Sequence, residues 1–119
     1  MANEELPRPS WHDALESMSR EHENDDVTIE VMTLEFGDQH EVEKLPLAYI
    51  EYDPHDDAVS IGVGGTNGKY PVVLRHAIEH PLKIAIGTSG SVDVLPVEIA
   101  DPDGTVTLVT LYRRLALPA

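Results

Sequence analysis

The stretch Val27 to Phe36, VTIEVMTLEF, constrains this chain more than any other, because its side-chain pattern specifies a strand and a break in that strand's phase. Val27, Ile29 and Val31 alternate with Thr28 and Glu30; Met32, Leu34 and Phe36 then alternate with Thr33 and Glu35. The apolar phase jumps by one residue between Val31 and Met32. A chain of period two keeps one face buried through such a jump only if a residue bulges out or the strand crosses between packing layers. The pattern therefore predicts a bulge at Val31-Met32 and a strongly bent sheet, of the kind found in barrels and orthogonal sandwiches.

The rest of the chain extends that reading. Ser10 reads as an N-cap, with Asp13 completing a near capping box, and Trp11, Leu15, Met18 and His22 recur at helical spacing. This predicts an amphipathic helix that buries Trp11, Leu15 and Met18 against the sheet, with His22 at the margin and Asn24 to Asp26 ending it. Glu16 precedes Arg20 by four residues, the favourable order for an exposed pair. Gln39 to Leu45 is a charged, weak strand suited to an edge, and Pro46 breaks its ladder before Leu47 to Tyr52 resumes it. Further strands are predicted around Val59 to Val63, Tyr70 to Ile78, Leu82 to Ile86 and Leu95 to Ile99, with Pro96 pointing to an edge or bulge. Asp101-Pro102-Asp103-Gly104 is a tight hairpin turn, with Gly104 taking a left-handed position. Val106 to Tyr112 carries apolar residues on both faces and should be central. The expected architecture is α+β: an arm over residues 1–9, then a single domain over residues 10–119 with one N-terminal helix packed on a mostly antiparallel sheet of about seven or eight strands, barrel-like or rolled.

Composition narrows function by exclusion. With 119 residues, 41% of them hydrophobic but only 5% aromatic, the core must be built from Val, Ile and Leu, which favour strands. Twenty-two acidic against 8 basic residues give a formal charge of −14, which repels nucleic acid and anionic membranes. The same acid-rich, lysine-poor balance fits either a salt-adapted protein or an ordinary acidic one. Cysteine is absent, so disulfides, thiolate metal sites and thiol catalysis are excluded, and a cytoplasmic setting is expected. The N-terminus has no leader-like pattern, and no apolar run approaches the ~18 residues of a membrane span.

In order along the chain, Trp11, Ser19-Arg20-x-His22-Glu23, Val27-Thr28-Ile29-Glu30-Val31, Leu45-Pro46-Leu47, His76-x-Ile78-x-x-Pro81 and Asp103-Gly104-Thr105 resemble a prokaryotic family of small proteins known only as a domain of unknown function. The likeness runs from about Pro9 to Pro118. It implies a stand-alone domain of this size, and no activity, substrate or site residue.

The sharpest chemical motif is His76-Ala77-Ile78-Glu79-His80, which matches the H-x-x-E-H pattern of inverted zinc peptidases. That mechanism needs a helix, where residues four apart converge on one ion. The period of Val72, Leu74, His76 and Ile78 is two, and on a strand His76 and His80 stand about 13 Å apart. A helical stripe of Val73, Leu74, Ala77 and Ile78 keeps the metal alternative, His76, Glu79 and His80, open. The preferred reading is strand and turn without metal, with His76 on an apolar face. Gly64 to Lys69 lacks Walker spacing and a following helix; it reads as a hairpin loop whose Gly64, Gly65, Asn67 and Lys69 form a possible pocket rim. The six histidines are numerous for this length, and acidic neighbours such as Asp13, Glu21 and Asp56 raise their proton affinity. Asp25-Asp26 and Asp56-Asp57 read as solvated turn residues. No G-x-S-x-G elbow is present and no catalytic residue or cofactor site is nominated.

These readings favour a non-enzymatic module that binds a protein or a small molecule, through the Gln39 to Leu45 edge or a cleft beside the Gly64 to Lys69 loop, with an edge strand as a route to a homodimer. The alternatives are a small metal-dependent hydrolase and a salt-adapted structural or stress-related acidic protein.

Overall fold

A computed structural model describes residues 4–33, 37–64, 72–87 and 93–113. In chain order these form β1 (Glu4–Glu5), a 3-10 turn (Arg8–Ser10), helix α1 (Trp11–Glu21), β2 (Asp26–Thr33), β3 (Gly37–Asp53), β4 (Ala58–Gly64), β5 (Val72–Glu79), β6 (Lys83–Ile86), β7 (Val94–Ala100) and β8 (Val106–Tyr112). The strands make one sheet in the order β1-β6-β7-β8-β2-β3-β4-β5, antiparallel at every described pairing. The α+β class holds. The sheet is open, ending at β1 and β5, so it is not a closed barrel. Among the described residues no helix is long and apolar enough to cross a membrane.

The irregularity foreseen in β2 lies in its neighbour. Against β8, β2 runs one to one from Asp26 opposite Tyr112 to Met32 opposite Val106, with no extra residue at Val31-Met32. Against β3, Val27 faces Leu45, Ile29 faces Val42 and Glu30 faces His40, so the extra residues belong to β3. Lys44 has a φ of 52° there, a left-handed position that a bulge tolerates. The phase jump of β2 has a different cause: Val27, Thr28 and Ile29 are all buried, whereas Glu30 to Thr33 are all half-buried, so no single face has to stay apolar.

It is β3 that turns the sheet. Its pairs with β2 end at Pro46 opposite Asp26, and its pairs with β4 begin at Leu47 opposite Val63. Pro46 therefore does not break the ladder into two strands; it stands at the handover, where its missing N–H costs little. The segment Gln39 to Leu45 is part of this internal strand, although its described pairs are all with β2. Pro96 likewise lies inside the sheet: β6 stops at Ile86 opposite Val97, one step short of it, and Gly87 N donates to Pro96 O.

Helix α1 lies against β3. Trp11, Leu15 and Met18 join Leu47, Ile50, Tyr52, Val59 and Ile61 in one core, and the Trp11 and Tyr52 rings meet edge to face at 5.2 Å. Ser19 Oγ accepts from Ile50 N, and Arg20 binds Glu16 at 2.9 Å. Three local expectations need correction. Ser10 makes no side-chain cap; its hydroxyl donates to Pro7 O, because the 3-10 turn brings that carbonyl to 2.8 Å. His22 is buried rather than marginal, and Asp25 is buried rather than solvated, with His22 Nδ1 3.0 Å from Asp25 Oδ2. The cause is β3 passing over them: Leu47 N donates to Asp25 O, and Asn24 N donates to Leu47 O. At the far end, the β7 to β8 hairpin has the expected turn, with Asp101 Oδ1 accepting from Asp103 N and Thr105 N and Gly104 at a φ of 84°.

Candidate functional site

Three connections meet at Asp57: the 3-10 turn, the β3 to β4 turn and the bend after β5. The Tyr52 hydroxyl donates to Asp57 Oδ1 at 2.7 Å, Arg8 reaches the same oxygen at 3.4 Å, and His80 Nδ1 lies 3.3 Å from Oδ2. His80 N donates to Asp57 O, and a second Arg8 nitrogen donates to Pro81 O at 3.0 Å. The Arg8 guanidinium also stacks 4.3 Å over the Trp11 ring, whose Nε1 donates to Leu6 O. Asp57 and His80 have φ values of 50° and 53°, left-handed positions that the reciprocal contacts hold in place. The hydrogen bond from Tyr52, then that with His80, keep the Asp57 carboxyl below its ordinary range; the hydrogen bond to Asp57, with burial, pushes the Tyr52 phenol up.

His80 links this cluster to a cleft of about 580 Å³. One wall is His76 to His80, the end of β5 and the residue after it; the facing wall is Asp101, Pro102, Asp103, Thr105 and Thr107 of the hairpin and β8, with Val31 of β2 contributing. Among the described residues β5, the last strand in the order, pairs only with β4, yet its end lines one cleft together with Val31 of β2 and Thr107 of β8. The cleft lining mixes, among the described residues, three carboxylates, Glu79, Asp101 and Asp103, with two imidazoles and no Lys or Arg. Such a surface favours a cationic ligand.

Two smaller cavities are also present, one of which shares Ala77, Glu79 and His80 with the cleft. One, of about 400 Å³, is lined by Glu51, Asp53, Asp56, Glu79, His80 and Arg75 among others, with Arg75 donating to Ser60 Oγ. The other, of about 390 Å³, lies between α1 and β3 and includes His12, Glu16, Tyr52 and Asp53. Beside it His12, Asp13 and Glu16 bring possible ligand atoms within 4.8 Å of one another, all on exposed side chains. The hydrogen bond to Asp13, with the charges of Glu16 and Asp53, raises the proton affinity of His12, so protons compete there with any cation.

The predicted site residues fare unevenly. His76, Ala77, Ile78 and Glu79 lie on strand β5, with His76 half-buried opposite Ile61, and His80 is the exposed residue after it. His76, Glu79 and His80 all line the cleft without bringing their ligand atoms together as a metal-ligating group, since residues four apart on a strand stand about 13 Å from each other. Gly64 ends β4 with a φ of 86°; Gly65, Asn67 and Lys69 lie outside the described residues. Arg8, Tyr52 and Asp57 carried no recognisable signal, because their association depends on three separate turns meeting in space. Asp101 and Asp103 were legible only as turn residues.

A family model described as "Family of unknown function (DUF5335)" matches residues 2–119. A relative from Aquifex aeolicus (strain VF5), itself an uncharacterized protein, is 30% identical over 118 residues, covering 99% of each chain. No solved structure matches the chain.

Proposed function

The chain belongs to that family of unknown function, and on that premise we propose that it is a non-enzymatic binding module whose ligand lies in the cleft between β5 and the β7 to β8 hairpin. The observation that carries this reading is the cleft itself: about 580 Å³, walled by the end of β5 on one side and by the β7 to β8 turn with β8 on the other, with Ile78 and Val31 among its apolar groups and Glu79, Asp101 and Asp103 among its polar ones. That size and mixture belong to the range of sites that bind ligands, roughly 300 to 1,000 Å³. A cysteine-free chain is compatible with a cytoplasmic setting for this module.

Amide chemical-shift mapping tests the assignment, using small guanidinium and alkylammonium fragments alongside matched carboxylates. The cationic fragments should shift the amides of His76 to His80 and of Asp101 to Thr107, while the carboxylates leave them in place. Shifts confined to the cavity beside His12 and Tyr52, or none anywhere, would discard this cleft as the binding site.

A further inference from the structure

We infer that the cleft takes an extended, basic peptide segment of another protein, added as a ninth strand along β5. This rests on the reading of the cleft as the binding site and names its occupant.

β5 is the last strand in the sheet order, and its described pairs are all with β4. The cleft is lined by consecutive residues of β5, His76, Ala77, Ile78 and Glu79, rather than by every second one. A cavity on one face of a strand touches alternate residues; one that touches each in turn runs along the strand's edge, where the backbone groups are. An extended peptide satisfies such an edge through main-chain hydrogen bonds, which is the basis of strand addition. From His76 to His80 this edge spans about 13 Å, enough for a segment of similar length.

Charge selects the segment. Glu79 and Asp103 are exposed, Asp101 stands beside them, and the whole chain carries −14. Lysine or arginine on the added strand would face these carboxylates, and an acidic segment would be repelled.

A second copy of this chain is the rival occupant, since antiparallel pairing about Ala77 would set Arg75 against the partner copy's Glu79. The hairpin wall decides against it. Asp101 to Thr107 stands across the cleft from β5, so a second domain would bring its own acidic hairpin to the same place. A lone basic strand brings neither the wall nor its acidic charge.

The test uses a fluorescein-labelled nonapeptide in which lysine alternates with valine and threonine, and the full chain. Three companions complete it: the same peptide with glutamate for lysine, and two with alternate backbone nitrogens methylated along one edge or the other. Anisotropy should show saturable binding of the lysine peptide and weakening of at least about tenfold for the glutamate form. One methylated edge should lose binding by a similar factor and the other keep it, because a strand offers only one edge to β5. Glu79→Lys and Asp103→Lys should each weaken binding, and Glu23→Lys, in the exposed turn after α1, should not. Equal binding by both methylated peptides overturns strand addition. So does a chain that sediments as a dimer, splits on Glu79→Arg and re-forms in the Arg75→Glu, Glu79→Arg double variant. If cationic fragments shift the cleft amides but the peptide does not bind, this inference fails alone; if neither binds, the cleft assignment fails with it.

Discussion

Tyr52 and Asp57 are joined by a 2.7 Å hydrogen bond from the phenol to Oδ1, which ties the end of β3 to the last residue before β4. Arg8 and His80 reach the same carboxylate from the N-terminal arm and from the end of β5. One side chain thus holds the arm, the β3 to β4 turn and one wall of the cleft.

The pH dependence of stability should report this carboxylate. Its folded proton affinity is lowered from an ordinary value near 3.8 by the Tyr52 and His80 hydrogen bonds. The unfolded chain therefore binds the proton more tightly, so the contribution is present above that value and lost as pH falls through the folded one. Asp57→Asn should unfold at lower urea than the parent at about pH 7, with the difference shrinking below about pH 3.8. A difference that is the same across the acid range would show that the charge of Asp57 is not what the cluster uses.

Trp11 is the only tryptophan of the chain and is 2% exposed, packed edge to face on Tyr52. Trp11→Ala should cost about 3 to 5 kcal/mol in denaturant unfolding followed by circular dichroism. Trp11→Phe keeps a ring against Tyr52 and should lose clearly less. Equal losses would mean that the bond from Nε1 to Leu6 O, not ring packing, secures the helix.

Gly62 and Tyr49 are cross-strand partners of β4 and β3, and a Cβ on Gly62 would collide with the Tyr49 ring. Gly62→Ala should destabilise by about 1 kcal/mol or more as that ring is displaced. Adding Tyr49→Ala should recover part of the loss, giving non-additive values in a double-mutant cycle. Additive values would show that the ring moves aside freely.

A formal charge of −14 on so small a chain should make stability depend on salt. The thermal midpoint should rise from low to molar potassium chloride as self-repulsion is screened. A flat or falling midpoint removes salt adaptation as an account of the acidity.

Much of the architecture was legible because it is locally specified. Trp11, Leu15 and Met18 reveal the helix by spacing alone, Asp101 to Gly104 reveals its hairpin by turn chemistry, and Val72 to Ile78 reveals a strand by its period of two. That period also separated β5 from the helix that an H-x-x-E-H metal centre requires. The bulge was misplaced because a phase jump says that burial changes along a strand, not which of two neighbours carries the extra residue. Register against a partner decides that, and here the partner is β3.

What this sequence determines by itself is therefore helix α1, most of the strands, their amphipathic faces and the sign of the surface, since each follows from side chains a few residues apart or from a sum over all of them; β1 in the arm and the continuity of β3 through Pro46 are not among them. The tertiary structure alone decided that Pro46 marks a handover between β2 and β4, that Asp25 and His22 are buried, that Arg8, Tyr52, Asp57 and His80 converge, and that β5 faces the hairpin across a cleft. Those relationships link residues up to 73 positions apart, as in the bond from Arg8 to Pro81. They depend on how far the sheet rolls, a property summed over many strand pairings that no local pattern encodes.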